Sequence, residues 1–369
     1  MFTWVEIKSN NIRHNLRQFR KMVGKKTLLM PVVKSNAYGH GILGVAKICD
    51  QSPEADRICV VNLEEALELK KNKIKKPIMI LSFYELDEKK IKIAAKNKII
   101  FPIYSERQIS FLNKAGERVG KKIKVHLKID TGASRMGILP KDAQMFAKKI
   151  KQSKFLDLEG IWSHFASSEE DKKFTKKQIK IFNETIKTLT DIGINPPIKH
   201  MACSAASALY PKSFFNGVRL GLSLYGIHPI KKSIKKIRLK PALSWHTKII
   251  QVKDIPTGAK IGYGGTFTVS KPTKIAIIPV GYWDGFDRKF SNRAFVIIKG
   301  QKCPIRGRIC MNLCMVEIKN HKIKVGDEAI IIGKGKNKII TAENLAGWAE
   351  TINYEIIDRI NPLIPRIFK

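Results

Sequence analysis

A single lysine, Lys34, follows the apolar run LLMPVV at residues 28–33, and the small and polar sequence SNAYGHG follows it at residues 35–41. An apolar, β-branched run of this kind predicts a buried strand. A lysine held in a partly desolvated pocket at the end of such a strand loses part of its preference for the charged form. It can then attack a carbonyl carbon and form a Schiff base. An ordinary lysine that leaves a strand toward solvent has the same local pattern, so the rest of the chain must decide.

Tyr263 and the cysteines each have a simple structural interpretation when they are taken alone. Tyr263 lies between glycines in IGYGGTF, residues 261–267, a composition typical of an aromatic residue in a turn. Cys310 and Cys314 lie four residues apart in strand-like surroundings, without histidine or cysteine partners at zinc-binding spacing. We interpret them as packing thiols and predict no metal site. The six cysteines are too sparse in 369 residues for a disulfide framework, which favours a reduced, cytoplasmic protein.

The composition predicts a folded chain without a membrane segment. The hydrophobic fraction of 44% excludes wholesale disorder. There is no run of about 18 apolar residues that could span a membrane. The N-terminal sequence MFTWVEIKSNNIRHNL becomes polar and charged too early for a signal peptide.

The formal net charge of +38, from 69 basic and 31 acidic residues, raises the question of a nucleic-acid partner. The lysines are scattered, for example in KKNKIKK at 70–76 and KKSIKKIRLK at 231–240, and are not interleaved with aromatic residues. No zinc finger or RNA-recognition motif is recognisable. We therefore expect a lysine-rich solvated surface and no specific nucleic-acid partner.

The elements that must position Lys34 alternate between strands and helices over the first 230 or so residues. Amphipathic stretches such as 105–119 and 176–193 separate the apolar runs, with Ser105, Asp142 and Thr175 as predicted helix N-caps and Gly193 as a stop. Continuous apolar strands between helices indicate a parallel sheet covered on both faces, and seven or eight such units favour a β/α barrel. The predicted strands lie at 27–33, 57–62, 77–82, 99–104, 124–129, 158–165 and 198–202.

The sequence pattern changes from alternating strands and helices to mostly strands after residue 235. Strand-like segments punctuated by glycine, proline and aspartate predict a mostly β domain, with one helix near 341–353 that begins after Thr341. The predicted organisation is thus α/β, with an N-terminal TIM-like barrel at 1–235 followed by a smaller, mostly β domain at 236–369.

The sequence around Lys34, VVKSNAYGHG, resembles the pyridoxal-phosphate attachment motif of the alanine racemase family, and further matches follow in order across nearly the whole chain. Any one of these matches is weak evidence for the family, but together and in this order they are specific to it. They are VHLKIDTGASRMG (125–137), WSHFASSE (162–169), HMACSAA (200–206), GVRLGLSLYGIHP (217–229), IGYGGTF (261–267), IPVGYWDGFDR (278–288), GRICMN (307–312) and NYEIIDRINPLIPR (353–366).

This resemblance implies an enzyme that interconverts L-alanine and D-alanine by two-base proton transfer on a pyridoxal 5'-phosphate aldimine. Lys34 would hold the cofactor and serve as the base on one face. Tyr263 would be the base on the other face, and in the family it comes from the partner subunit. The resemblance therefore implies an obligate homodimer with composite sites. The family supplies D-alanine for peptidoglycan.

The remaining matches imply cofactor and substrate contacts. Arg219 matches the arginine that faces the pyridine nitrogen, where a permanent cation disfavours protonation of the ring. His164 would stack on that ring. Arg135 and Met311 match residues that contact the substrate carboxylate, Met311 through its backbone from the partner subunit. Lys128 matches a lysine that is carbamylated in many family members. The phosphate would be met by Tyr38, Ser204, Gly221, Leu222 and Tyr354.

Two positions depart from the family pattern. Asn312 stands where many members have aspartate, and Cys203 stands where an asparagine is usual. These changes leave the breadth of the substrate pocket open. A racemase of the same fold that acts on serine or lysine is the alternative, although the bulky Tyr282 and Tyr354 favour a small substrate. A decarboxylase of related layout and a non-catalytic cofactor carrier agree less well with Arg219 and with the second domain.

Overall fold

The computed structural model describes residues 1–229, 237–319 and 322–369. The described chain divides into two compact units. The larger unit contains residues 11–35 and 43–240, and the smaller contains residues 1–10, 36–42 and 241–369. The predicted boundary between residues 235 and 236 lies outside the described residues and stays a prediction. Residues 1–10 and 36–42, which fall within the predicted barrel range, belong to the smaller unit.

In chain order, the strands are β1 (Thr3–Ile7), β2 (Leu28–Pro31), β3 (Ile58–Val60), β4 (Ile78–Ile80), β5 (Phe101–Ile103), β6 (Ile123–Lys128), β7 (Leu156–Trp162), β8 (Ile198–His200), β9 (Gly217–Leu220), β10 (Leu243–Lys248), β11 (Gln251–Ile255), β12 (Lys260–Ile261), β13 (Phe267–Thr268), β14 (Thr273–Ile278), β15 (Phe295–Ile298), β16 (Gln301–Pro304), β17 (Cys314–Ile318), β18 (Glu328–Gly335), β19 (Lys338–Ile340) and β20 (Arg366–Phe368). The helices are α1 (Ser9–Val23), α2 (Lys34–Tyr38), α3 (Ile42–Gln51), α4 (Leu63–Lys71), α5 (Glu88–Lys96), α6 (Glu106–Val119), α7 (Ala143–Gln152), α8 (Lys172–Asp191), α9 (Ser204–Leu209), α10 (Ala342–Ala349) and α11 (Asn353–Asp358).

The larger unit is a closed barrel of eight parallel strands, β2 to β9, within the described part of the chain. Six of them form a continuous sheet in the order β2-β9-β8-β7-β6-β5, and β3 pairs with β4. Single parallel bridges from Val32 to Cys59 and from Met79 to Ile100 complete the ring. The β/α barrel is therefore confirmed. Closure places the carboxyl ends of all these strands at one end of the barrel, where catalytic residues of this architecture lie.

The barrel helices agree with the cap predictions except at Thr175. Ser105 caps α6 in a capping box with Gln108, as this Ser-to-Gln spacing favours. Asp142 precedes α7 without a side-chain capping bond. Thr175 lies inside α8 and not at its start, because Asp171 accepts the backbone N–H of Phe174 at 2.8 Å and caps the helix four residues earlier. Gly193 follows the end of α8 with a positive φ of 76°.

The smaller unit consists mainly of antiparallel sheets, in agreement with the predicted β domain. One sheet has the order β16-β15-β18-β10-β1-β20, with β19 paired to β18. β1 is antiparallel to β10 and parallel to β20, so the first strand of the chain is part of this sheet. Strands β11, β14 and β17 form a three-stranded sheet in that order, and β12 and β13 form a two-stranded sheet. The predicted helix near 341–353 is α10, capped by Thr341.

Candidate active site

Lys34 follows β2 and directly precedes a segment of left-handed backbone. The φ angles of Ser35, Asn36, Ala37 and Tyr38 lie between 52° and 54°. This conformation costs roughly 1–2 kcal/mol for each residue that carries a Cβ, and a run of such residues is uncommon. It must therefore be held by surrounding contacts. Lys34, immediately before this segment, is half-buried.

Glu65, on α4, provides one of those contacts within the barrel unit. Its Oε1 accepts the backbone N–H of Ser35 at 2.7 Å, and its Oε2 accepts the backbone N–H of Val61 at 2.9 Å. Burial raises the pKa of the Glu65 carboxyl, and these bonds together with the charge of Lys34 partly oppose the rise. The role of Glu65 is not apparent from the sequence, because nothing in its local pattern links it to a lysine 31 positions earlier.

Arg219, on β9, is buried and its guanidinium is fixed by several acceptors. Its Nη2 donates to the carbonyl oxygens of Ser163 at 2.8 Å and Met201 at 2.9 Å. Nη1 donates to His200 Nδ1. The guanidinium also lies over the ring of Trp162, 4.7 Å from the ring centroid. Burial lowers the Arg219 pKa to about 10, so the side chain stays positively charged at neutral pH.

His164 follows the carboxyl end of β7 and accepts a hydrogen bond at Nδ1 from Arg219 Nη2, at 3.2 Å. Burial, followed by the positive charges of Arg219, Arg135, Lys128 and Lys34, holds its pKa well below the ordinary value. The imidazole is therefore neutral. A neutral ring suits a stacking partner, because it adds no charge to a site already rich in cations.

Lys128 is the last residue of β6. Its Nζ lies 4.5 Å from the centroid of the Trp162 ring and donates to the carbonyl oxygen of Leu81 at 3.3 Å. Burial lowers the Lys128 pKa to about 7, with further lowering by Arg135, Arg219 and Lys34 and an opposing contribution from Asp130. The neutral, nucleophilic form of this amine is therefore accessible near neutral pH.

The loop that carries Arg135 is organised by a single carboxylate. Asp130 Oδ1 accepts the backbone N–H groups of Gly132, Ala133 and Ser134, and Oδ2 accepts that of Arg135 at 3.1 Å. Arg135 itself is exposed. Asp130 lies in the quoted motif VHLKIDTGASRMG, and an aspartate that precedes Thr-Gly after a strand is a recognisable turn signal.

The predicted phosphate-contact residues of the barrel unit lie around the Ser204 hydroxyl. Ser204 Oγ accepts the backbone N–H of Gly221 at 3.0 Å and that of Ser223 at 3.4 Å. Leu222, between them, is buried. Cys203, one of the departures from the family pattern, has its Sγ 3.5 Å from Ser168 Oγ.

The smaller unit holds the other four predicted residues. Tyr38 is buried, and its ring centroid lies 6.1 Å from that of Tyr354. Tyr263 begins a short 3₁₀ turn and is 72% exposed. Met311 is also exposed, and its carbonyl oxygen accepts the backbone N–H of Trp283.

The turn at Tyr263 requires glycine next to it. Gly264 has a φ of 72°, and a Cβ there would lie 2.8 Å from Arg308 Nη1. Tyr263 lines a surface concavity together with Tyr282, Arg288 and Arg308. The phenol of Tyr263 is therefore exposed to solvent in a concavity that also contains two arginines.

The described residues include neither a metal-binding cluster nor a membrane-spanning helix. No group of three or more histidine, cysteine, aspartate or glutamate side chains there could hold a metal ion. No helix in the same part of the chain is both long and apolar enough to cross a membrane.

Comparison with known proteins identifies the family. The sequence matches the family model of the alanine racemase N-terminal domain over residues 7–229 and that of the alanine racemase C-terminal domain over residues 242–368. The chain belongs to the alanine racemase family. The resemblance inferred from the sequence motifs is thus confirmed, together with the barrel-plus-β organisation of this family.

Full-length relatives agree with the family assignment. An alanine racemase of Methanococcus maripaludis is 38% identical over 99% of this chain and 98% of its own length. One of Halothermothrix orenii is 37% identical over 100% of this chain and 97% of its own length. The solved structure of the Clostridium difficile 630 alanine racemase has a TM-score of 0.93 and 35% identity, and covers 100% of this chain and 96% of that one.

Proposed function

We propose that this protein interconverts L-alanine and D-alanine with pyridoxal 5'-phosphate as cofactor. The observation that carries this proposal is the buried Arg219 guanidinium, held by backbone carbonyls and His200 and bonded to a neutral His164. A fixed cation beside a neutral ring suits a pyridine nitrogen that is to remain unprotonated. The family relationship of the whole chain supports the same reaction.

The donor set of the barrel unit fits pyridoxal phosphate. The positive charges of Lys34, Lys128, Arg135 and Arg219 all act on His164. Asp130 is the acidic group among the charges that act on Lys128. Such an excess of cations suits an anionic ligand. The Ser204 hydroxyl and the neighbouring backbone N–H groups provide the neutral donors that suit a phosphate. In the smaller unit, Tyr38 and Tyr354 contribute phenol groups to the same proposed set.

When bound, pyridoxal phosphate supplies the electron sink that makes the Cα–H of an amino acid acidic enough to ionise. Lys34 holds the cofactor and moves the proton at one face of Cα. Tyr263 of the partner subunit moves the proton at the other face. Arg135 binds the substrate carboxylate, aided by the backbone of Met311 from the partner subunit, and His164 packs on the cofactor ring.

Composite sites require a homodimer. Tyr263, Met311, Tyr282 and Trp283 are all large side chains exposed on the smaller unit. Side chains of this kind are typical of an interface between subunits. We infer that this surface supplies Tyr263 and Met311 to the partner's barrel. We further infer a cytoplasmic enzyme without a specific nucleic-acid partner, whose D-alanine product enters peptidoglycan.

We propose Lys128 as a carbamylation site. A neutral amine adds to carbon dioxide, forms a carbamate anion and releases one proton. Because burial lowers the Lys128 pKa to about 7, the reactive neutral form is available near neutral pH. A carbamate would place a negative charge near the cation of Arg135 and so orient that side chain.

The first experiment follows the circular-dichroism signal of L-alanine with purified protein and pyridoxal phosphate, alongside Lys34→Ala. We expect the signal to decay to zero with the wild type and to stay constant with the variant. A wild-type protein that binds the cofactor but leaves the alanine signal unchanged would contradict the proposal. The same assay with serine and with lysine as substrates then measures which other amino acids the pocket accepts, a question that the departures at Asn312 and Cys203 leave open.

A further inference from the structure

A continuous row of polar side chains crosses the barrel interior below the site. Arg219 Nη1 bonds to His200 Nδ1, and His200 Nε2 lies 3.0 Å from His126 Nδ1. His126 Nε2 in turn lies 3.0 Å from Glu159 Oε2. Arg219, His200, His126 and Glu159 come from the adjacent strands β9, β8, β6 and β7, and all four are buried.

The two ends of this row determine where its protons lie. A guanidinium can only donate a hydrogen bond, and an ionised carboxylate can only accept one. His200 must therefore accept at Nδ1 and carry its proton on Nε2. His126 must likewise accept at Nδ1 and donate from Nε2 to Glu159. Every bond then runs in one direction, from Arg219 to Glu159.

The charge states agree with this arrangement. Burial lowers the pKa of both His126 and His200, and the positive charges of Arg219 and Arg57 lower that of His200 further. Burial alone would raise the Glu159 pKa, but hydrogen bonds from His126, Arg57 and Lys124 hold it well below its ordinary value. Both imidazoles are thus neutral, and the carboxylate remains an acceptor.

Glu159 is itself firmly placed. Arg57 binds both of its oxygens, with Nη2 3.1 Å from Oε1, and Lys124 Nζ also bonds to Oε1. Next to it, Gly160 leaves room for the His126 ring, since a Cβ there would lie 2.5 Å from His126 Nδ1. The backbone of β7 therefore accommodates the imidazole and supplies the carboxylate that orients it.

We propose that Glu159 is a positioning residue that fixes the tautomer of His200 through His126, and thereby presents an acceptor to the guanidinium of Arg219. The consequence for catalysis rests on the proposed function, in which Arg219 faces the cofactor. If the direction of the row were reversed, His200 would present an N–H group to the N–H group of Arg219. One hydrogen bond would then be lost, and the guanidinium would be held mainly through Nη2, by the carbonyl oxygens of Ser163 and Met201.

The variant that tests this is Glu159→Gln, which keeps the shape but can donate as well as accept. Its amide can donate to His126 Nε2 and so permits the reversed row. The matched control is Glu317→Gln, because Glu317 is likewise a carboxylate paired with an arginine, Arg306 at 2.8 Å, but is only partly buried and lies in the smaller unit.

The direct measurement is the nitrogen-15 NMR spectrum of histidine-labelled, cofactor-loaded protein. We expect His126 and His200 to be neutral with protons on Nε2 in the wild type and in Glu317→Gln. In Glu159→Gln, we expect the signals of both rings to move toward the other tautomer. We also expect kcat/KM for alanine to fall by about tenfold to a hundredfold, as for the loss of a hydrogen bond to a charged group.

An unchanged His200 tautomer in Glu159→Gln would overturn the proposal. So would a wild-type protein in which either histidine carries its proton on Nδ1. If Glu159→Gln does not fold, His126→Phe keeps a ring beside Gly160 but breaks the row. In that variant Arg219 still donates to His200 Nδ1, but the Nε2–H of His200 loses its acceptor, so a His200 Nε2 signal identical to that of the wild type would equally overturn the proposal. The tautomers are read without turnover, so a failure to racemise alanine is a separate result that counts only against the proposed function.

Discussion

The carboxylate of Glu65 accepts the backbone N–H of Ser35, the residue that directly follows Lys34, at 2.7 Å. This bond joins α4 to the first residue of the left-handed segment that follows β2. Because that segment holds several residues at positive φ, its geometry depends on such contacts. The direction in which Lys34 leaves the barrel strand is therefore set in part by a residue distant in sequence.

We expect Glu65→Gln to loosen this segment. The amide can accept from only one of the two backbone N–H groups that Glu65 now satisfies, so the folded state loses about 1–2 kcal/mol. Denaturant unfolding measures the loss, and borohydride trapping of the cofactor followed by peptide mass spectrometry measures attachment at Lys34. The exposed neighbour Glu64, paired with Lys90 at 2.8 Å, provides the control Glu64→Gln. Equal behaviour of the two variants would argue against this role for Glu65.

The buried amine of Lys128 makes stability depend on pH. In the folded protein its pKa is about 7, whereas the ordinary value is 10.5. Between these values the unfolded chain binds the proton and the folded chain does not, so this contribution to stability rises as pH increases from 7 to 10.5. Relative to Lys128→Met, the wild type should gain on the order of 1–3 kcal/mol over that range. Denaturant unfolding in carbonate-free buffer at about pH 6, 8 and 10 measures it. A difference that does not vary with pH would contradict the prediction.

The same residue predicts a chemical modification. Under carbon-13-labelled bicarbonate, we expect a carbamate NMR signal in the wild type that is missing from Lys128→Met. Raising the pH through 7 should increase the signal, since the neutral amine is the form that reacts. A signal of equal strength in Lys128→Met would assign the carbamate to another amine.

Asp130 positions the backbone that presents Arg135, so its substitution should weaken substrate binding. In Asp130→Asn the side-chain NH₂ group replaces one of the two acceptors, and at least one of the loop N–H groups loses its partner. We expect the KM for alanine to rise about tenfold with a smaller change in kcat. Asp142→Asn is the control, because Asp142 makes no capping hydrogen bond. A fall in kcat with KM unchanged would show that the loop does not act through substrate binding.

Mixing two inactive variants tests the composite site. In a dimer of Lys34→Ala and Tyr263→Phe chains, one site contains both substitutions and the other contains neither, provided that Tyr263 serves its partner's Lys34. Random reassociation of equal amounts should therefore restore about a quarter of the wild-type activity. If each Tyr263 instead served its own chain, no intact site could form and the mixture would stay inactive.

Local sequence patterns were sufficient for much of the fold. The runs LLMPVV and RICVVN are apolar in succession because a barrel strand is buried on both faces, and they form β2 and β3. Ser105 with Gln108 specifies a capping box within four residues, so the start of α6 could be predicted. Thr175 could not be resolved in this way, since Asp171 and Thr175 both have side chains that can cap a helix and only one of them does.

The sequence by itself determined the family, the β/α character of the barrel and the identity of the residues matched to family motifs, because these follow from short ordered patterns. Only the tertiary structure decided that β1 pairs with β10 and β20, that Glu65 supports the turn after Lys34, and that Glu159 and Arg219 terminate one row of hydrogen bonds. The partners in these contacts are separated by tens or hundreds of residues. No local periodicity encodes such pairings; they exist only once the barrel closes and the sheets assemble, when burial makes an unpaired polar group too costly to leave.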